Sequence, residues 1–217
     1  MRHPEVSKGG RACRGLLKTY VATKNLGKLD EMRAILAGSE LELDTYSLYA
    51  EAPEEEDNYL GNAMSKARSL REQLRDAGVH GAVLADDSGI EVAALAGRPG
   101  VLSARYAGKD ATWPVRREKL LGELAHVPTE RRAARFCCAM VLILENGEEF
   151  SGYGEVEGSI ASEEQGRFGF GYDPLFFYEP AAVTFAQMPE EEKNRVSHRR
   201  RAAEALLASY REWLNSR

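Results

Sequence analysis

The chain has 217 residues, 43% of them hydrophobic and 29% charged, with a formal net charge of −5. That length and balance suit one soluble globular domain with a sizeable core, and they exclude a surface that binds nucleic acid through its overall charge. No run approaches the roughly 18 apolar residues of a membrane span, so no membrane partner is expected.

Residues 1–17 carry Arg2, Lys8, Arg11 and Arg14 with no apolar stretch behind them. That is not a secretory signal. They read as a flexible N-terminal extension, followed by a single domain over residues 18–217. Three cysteines, Cys13, Cys137 and Cys138, supply neither a disulfide framework nor a C-x-x-C pair. Neighbours such as Cys137 and Cys138 face opposite sides of a strand. As reduced, packed thiols they fit a cytoplasmic protein.

Residues 18–22 predict a strand, and a helical pattern follows with Leu29, Met32, Ile35 and Leu36 on one face, ended by Gly38. Between them lies Thr23-Lys24-Asn25-Leu26-Gly27-Lys28. Lys24 and Lys28 sit at the positive end of that helix, where the macrodipole disfavours cations by a few tenths of a kcal/mol. Either the lysines are solvated, or a bound anion uses them together with the free backbone N–H groups. The stretch is not a Walker loop. Residues 41–46 predict a second strand. The acidic run over residues 51–57 reads as a solvated loop, one member of which can complete a metal site with Asp87. A helix over residues 58–77 carries Leu60, Ala63, Met64, Ala67, Leu70 and Leu74, with Lys66 at the edge of the stripe and Gly78 at its end.

Residues 82–85 predict a short buried strand that runs into a turn, Asp86-Asp87-Ser88-Gly89. Two adjacent carboxylates there have two readings: they cap and turn the chain, or they supply oxygen ligands for Mg²⁺ with one carboxylate left to act as a base. A short strand over residues 90–95 follows. Thr112 is placed to N-cap a helix through residue 124, with Pro114 in its first turn. Residues 133–144 predict a long strand, and Asn146-Gly147 joins it to a partner over residues 150–156 in a hairpin. Part of the sheet is therefore antiparallel, and the mixed order of elements predicts an α/β or α+β sheet with helices around it.

Residues 166–174 are dense in glycine and aromatics. The glycines allow close approach to a ligand, and Phe168 or Phe170 either stacks on a base or packs inward. Residues 175–177 predict a buried strand. Ser197 N-caps a terminal helix bearing Ala202, Leu206, Tyr210 and Leu214, with His198 and Arg199 in its first turn, against the dipole.

Taken together, these stretches resemble the inosine/xanthosine triphosphate pyrophosphatase family. The resemblance runs from about Lys18 to Leu207. It rests on Thr-Lys-Asn-Leu-Gly-Lys, Asn62-Ala-Met-Ser-Lys66-Ala, Asp-Asp-Ser-Gly, Gly-Arg-Pro-Gly-Val-Leu-Ser-Ala-Arg-Tyr, Phe-Gly-Tyr-Asp-Pro and Glu-Glu-Lys-Asn-Arg-Val-Ser-His-Arg, in that order. It implies an α/β fold: a long twisted mixed sheet flanked by helices, in two lobes with a nucleotide cleft between them. It implies a homodimer that uses Mg²⁺ to convert ITP, dITP or XTP to the monophosphate and pyrophosphate. Thr23, Lys24, Asn25, Leu26, Gly27 and Lys28 then form the triphosphate loop, with Asn25 and Lys28 as the matching contacts and Lys66 as a further phosphate lysine. Asp87 is the catalytic, metal-binding carboxylate and Ser88 a substrate contact. Phe170, Gly171, Tyr172, Asp173, Lys193, His198 and Arg199 form the base pocket, in which Arg199 is expected to donate to O6 of the base and Asp173 to accept from N1–H. The chain departs from the family in having Lys24 where glycine is usual. Its acidic segment is about one residue short, so the metal glutamate falls on Glu54 or Glu55. Two rivals share the phosphate parts: a pyrophosphatase for modified pyrimidine triphosphates, and a non-catalytic nucleotide-binding protein.

Overall fold

The structure is a computed structural model and describes residues 15–217. Most of the expected extension, and Cys13, lie outside those residues. A seven-stranded mixed sheet forms the centre, in the order β2-β1-β3-β4-β5-β6-β7. The strands are β1 (Leu17–Val21), β2 (Leu41–Asp44), β3 (Ala82–Val92), β4 (Ala133–Ile143), β5 (Glu149–Ile160), β6 (Phe176–Tyr178) and β7 (Val183–Thr184). β1 runs parallel to β2 and β3, and every later pairing is antiparallel. The helices are α1 (Leu26–Leu36), α2 (Tyr59–Asp76), α3 (Trp113–Glu123), α4 (Glu190–Val196) and α5 (His198–Asn215).

Strand alternation sorts the core. Leu84 of β3 and Cys138, Met140 and Leu142 of β4 face α1 and α5, packing with Met32, Ile35, Ala202 and Leu206. Ala85 and Cys137, Ala139, Val141 and Ile143 face α2, packing with Ala63, Ala67, Leu70 and Leu74. Both cysteines are thus free, buried and on opposite faces. The far ends of β3, β4 and β5 build a smaller lobe, where Ile90, Phe136, Val156 and Ile160 pack with Phe176, Phe185 and Leu120 of α3. The buried stripe of α2 starts at Tyr59 and Asn62, whereas Leu60 is exposed.

The caps are those the sequence favours. Asn58 Oδ1 accepts from Gly61 N at 2.8 Å at the start of α2, and Ser197 Oγ accepts from Arg200 N at 3.2 Å at the start of α5. Thr112 occupies the N-cap position of α3, but its side chain makes no capping bond. The Asn146-Gly147 turn joins β4 to β5, closed by Leu144 N to Glu148 O at 2.9 Å.

The expected break at residues 86–89 is absent. β3 runs unbroken through the two aspartates, Ser88 and Gly89, paired with Met140, Ala139, Cys138 and Cys137 of β4. Turn propensity is local and weak, and here a ten-residue ladder outweighs it. Gly89 is needed for another reason. A Cβ there would lie 2.2 Å from the Gly100 carbonyl oxygen and 2.7 Å from Ser103 Oγ, so only a glycine lets the 3-10 segment Gly100–Arg105 seat against β3. Gly89→Ala is therefore expected to lower stability by at least the ~1–3 kcal/mol typical of overpacking, read as a lower denaturation midpoint with unchanged slope.

Candidate active site

The cleft opens where β1 leaves the sheet. β1 pairs with β3 only as far as Val21 against Leu84, and Ala22 N closes the register on Leu84 O at 2.8 Å. The chain then turns: Thr23 Oγ1 accepts from Asn25 N at 3.1 Å, and Asn25 Oδ1 caps α1 by accepting from Lys28 N at 3.2 Å. Beyond Leu84 the middle of β3 faces the space that β1 vacates. Alternation sends Asp86 toward α1 and α5, and Asp87 toward α2. The adjacent carboxylates are therefore two separate sites.

Asp86 is a buried anchor. Arg199 donates to its Oδ2 from Nε and Nη2, both at 3.2 Å, and Lys28 Nζ lies 3.3 Å from Oδ1. Burial alone would raise this carboxyl, but Lys28 and then Arg199 outweigh it and hold the group well below the usual carboxylate range. Arg199 also donates to Glu31 Oε2 at 2.5 Å and to Ser88 Oγ at 3.0 Å. A buried guanidinium in the first turn of a helix is unfavourable by dipole and by desolvation, and the two buried carboxylates offset both.

Asp87 is held from the other face. Lys66 Nζ lies 2.7 Å from its Oδ1, and Asn62 Nδ2 donates to its Oδ2 at 3.2 Å. The same ammonium lies 2.5 Å from Glu54 Oε1. Burial pushes Asp87 up, and Lys66 followed by Lys28 pull it down without cancelling the rise. In Glu54 the balance goes the other way: burial is outweighed by Lys66, so that group titrates below its ordinary value. Arg105 fixes the Glu54 backbone, donating from Nη2 to its carbonyl at 2.7 Å. Glu55 is exposed and does not line the cavity. Among the described residues no group of three or more His, Cys, Asp or Glu is placed to hold a metal. Glu54 and Asp87 supply hard oxygen donors on one side of the cavity, and their shared contact with one cation shows that both can face a single positive charge.

Another part of the cavity lining is aromatic and cationic. Lys193 Nζ lies 2.6 Å from Asp173 Oδ2, which also accepts from Phe170 N at 2.8 Å. The Phe170 ring has Lys193 Nζ 4.9 Å and Arg199 Cζ 5.7 Å from its centroid. Phe170 also packs against the start of α1, since a Cβ on Gly27 would come 2.9 Å from its Cδ1. His198 stacks on Phe136 with ring centroids 4.7 Å apart, and its buried Nδ1 has no partner among the described residues. Burial first, then Arg199 and Lys193, push this histidine well below its ordinary value.

One cavity is lined by Asn25, Lys28, Glu54, Asp87, Ser88, Phe170, Gly171, Tyr172, Asp173, Lys193, His198 and Arg199. Thr23, Leu26 and Gly27 do not line it, and Leu26 is exposed. Lys24 points to solvent, and Lys66 reaches Asp87 from α2. Phe168 is 44% exposed and neither packs inward nor lines the cavity. The expected base readers are already engaged: Arg199 on Asp86, Glu31 and Ser88, and Asp173 Oδ2 on Lys193 and Phe170 N. Burial explains this, because neither charge is tolerated there without an opposite one.

Glu31, Asn62, Arg105 and Trp113 were not expected at the site. For Glu31 a signal existed: with Lys28 and Ile35 it falls at i, i+3 and i+7 on the buried face of α1, where an unpaired charge would be costly. Asn62 and Arg105 lie within motifs that carry the family resemblance, although no role was assigned to them, and Trp113 has no such mark.

The model of the Ham1 family matches residues 19–209. A protein of Geobacter sulfurreducens named dITP/XTP pyrophosphatase is 42% identical over 202 residues, covering 91% of this chain and 98% of the relative. One of the same name from Clostridium tetani is 40% identical over 207 residues, covering 93% and 100%. Among solved structures, a HAM1 protein from Coxiella burnetii superposes with a TM-score of 0.78 at 37% identity, covering 91% of this chain and all of that one. The Ham1 protein of Staphylococcus aureus gives 0.76 at 33% identity, covering 90% and 98%.

Proposed function

The chain belongs to the Ham1 family, and from that premise we propose that it is a pyrophosphohydrolase of non-standard purine nucleoside triphosphates, releasing pyrophosphate and the monophosphate from ITP, dITP or XTP. The observation that carries this reading is one cavity lined together by a carboxylate of raised pKa, Asp87, by the lysine-bearing loop of Asn25 and Lys28, and by an aromatic, cationic group of Phe170, Lys193 and His198. The loop suits a triphosphate and the aromatic, cationic group a keto purine.

Reactions of this kind depend mostly on positioning and charge neutralisation. Lys28 and Lys66 offset the triphosphate charge, and Asn25 holds the loop that presents Lys28. Asp87 takes the proton of the water that attacks the α-phosphorus. Glu54 and Asp87 would hold Mg²⁺, which when bound supplies further neutralisation of the phosphate oxygens. The chain is read as a homodimer acting in the cytoplasm; no described helix is long and apolar enough to cross a membrane.

Pyrophosphate release across a panel of ITP, dITP, XTP, dUTP, GTP and ATP, with and without Mg²⁺, tests the reading. Hydrolysis of the pyrimidine alone, or full activity after exhaustive EDTA, would overturn it. The two glutamates separate cleanly. Glu54→Gln is expected to weaken Mn²⁺ binding at least tenfold by calorimetry, as a charged ligand becomes neutral, and Glu55→Gln to leave it within twofold. Equal losses would place the metal elsewhere.

A further inference from the structure

Trp113 belongs to none of the motifs that carry the family resemblance, yet its indole lines the same cavity as Phe170 and Asp87. It is the first residue of α3, and three observations fix its ring. Its benzo edge lies over Gly171: a Cβ there would sit 3.7 Å from Cη2, 3.8 Å from Cζ3 and 3.9 Å from Cζ2. It meets Tyr172 edge to face, with centroids 5.5 Å apart at 78°. The Arg116 guanidinium stands 4.9 Å from its centroid, itself anchored on the carbonyls of Gly108 and Lys109 at 3.4 and 3.2 Å. Arg117 then ties α3 to the glycine-aromatic turn by donating to Gly171 O at 2.9 Å. The result is a half-buried indole, locked in orientation, at the aromatic end of the cavity.

We propose that Trp113 is a wall of the nucleobase site, contacting the purine and setting affinity for the base while leaving the phosphate end untouched. The inference rests on the reading of the cavity as a purine nucleotide site. A large apolar surface held in place and left partly open has its greatest gain from a flat ligand, because its ordering entropy is already spent. Base–aromatic contacts are removed by alanine at a cost of roughly tenfold to a hundredfold in affinity. The indole stands at the base end, whereas Lys28, Lys66 and Asp87 serve the phosphates. Its loss should therefore act on the base-bearing ligand alone.

The chain has two tryptophans, and Trp213 packs with Phe150 and Tyr210 at the end of α5, away from the cavity. Trp213→Phe thus leaves Trp113 as the sole indole reporter. Titrating that variant with inosine monophosphate should shift or quench the emission at the concentrations where calorimetry sees binding, and tripolyphosphate should bind without the change. Trp113→Ala should weaken inosine monophosphate tenfold or more and raise KM for ITP similarly, with kcat within about threefold and tripolyphosphate affinity unchanged; Trp113→Phe should recover most of the loss. Emission that does not move while inosine monophosphate binds would overturn the proposal. An equal loss for tripolyphosphate would do so too, since it would mark Trp113 as merely structural. A parent protein that binds tripolyphosphate but no inosine nucleotide would instead remove the proposed function, and this inference with it.

Discussion

Asp87→Asn is expected to lower ITP turnover a hundredfold or more while the protein stays folded and still binds inosine monophosphate. Removing a general base costs on the order of a hundredfold to ten-thousandfold in rate. The fold tolerates the change because two effects oppose one another. Burial already raises the pKa of Asp87, so its ionisation at neutral pH works against the folded state, and removing that charge relieves the fold. Against this, Asp87 Oδ2 accepts from Asn62 Nδ2, and an asparagine that turns its oxygen to Lys66 sets two amide NH₂ groups face to face. One lost buried hydrogen bond is worth about 1 kcal/mol. The melting temperature should therefore move by only a few degrees. Turnover within a factor of a few of the parent rate would show that Asp87 is not the base. A large fall in melting temperature would show that it is chiefly structural.

Which parts of this protein can be read from its sequence depends on the range of the interactions that decide them. α1 and α2 were legible, since the spacing of Leu29, Met32, Ile35 and Leu36, or of Ala63, Ala67, Leu70 and Leu74, is a local pattern. The Asn146-Gly147 turn is equally local. The middle of β3 was not legible. Asp-Asp-Ser-Gly has the composition of a turn, and what holds it straight comes from afar: β4 along its edge, Lys66 from α2, and Arg199 lying 113 residues on. Once the segment is a strand, the meaning of the adjacent aspartates changes from a pair to two opposed sites. The choice between Glu54 and Glu55 is of the same type. In sequence they are equivalent members of an acidic run, and only the reach of Lys66 and Arg105 separates them. The β6–β7 pairing and α4 are too short for periodicity to register.

The second large effect is the choice of base: kcat/KM for ITP is expected to exceed that for ATP by about three orders of magnitude or more. Hypoxanthine offers an acceptor at O6 and a donor at N1–H, and adenine the reverse. On the proposed reading the base faces Lys193 and Arg199, cations that carry N–H donors and no lone pairs and that are held in place by their carboxylate partners. An O6 acceptor meets them favourably. An N6 amino group sets donor against donor, and a buried polar group left unpaired in this way costs ~1–3 kcal/mol. Sites built this way reject the wrong partner by roughly 10⁴. GTP shares O6 and N1–H with ITP, so these cations do not separate the two. An ITP-to-ATP ratio below about ten would refute the electrostatic account. Truncating Arg199 is a poor way to test it, and the structure says why. Arg199→Met strips Asp86 and Glu31 of their buried partner, a change that typically destabilises by about 3–5 kcal/mol. Lys28 stays 3.2 Å from Asp86 and Lys193 3.7 Å from Glu31, so the loss should fall toward the lower end of that range. Urea denaturation of this variant is expected to show that loss at an unchanged slope. If stability is unchanged while the ITP-to-ATP ratio collapses, the guanidinium reads the base directly and its ion pairs are incidental. If stability falls and the ratio holds in the remaining folded protein, Arg199 serves as the post on which Asp86, Glu31 and Ser88 are set, and Lys193 carries the discrimination.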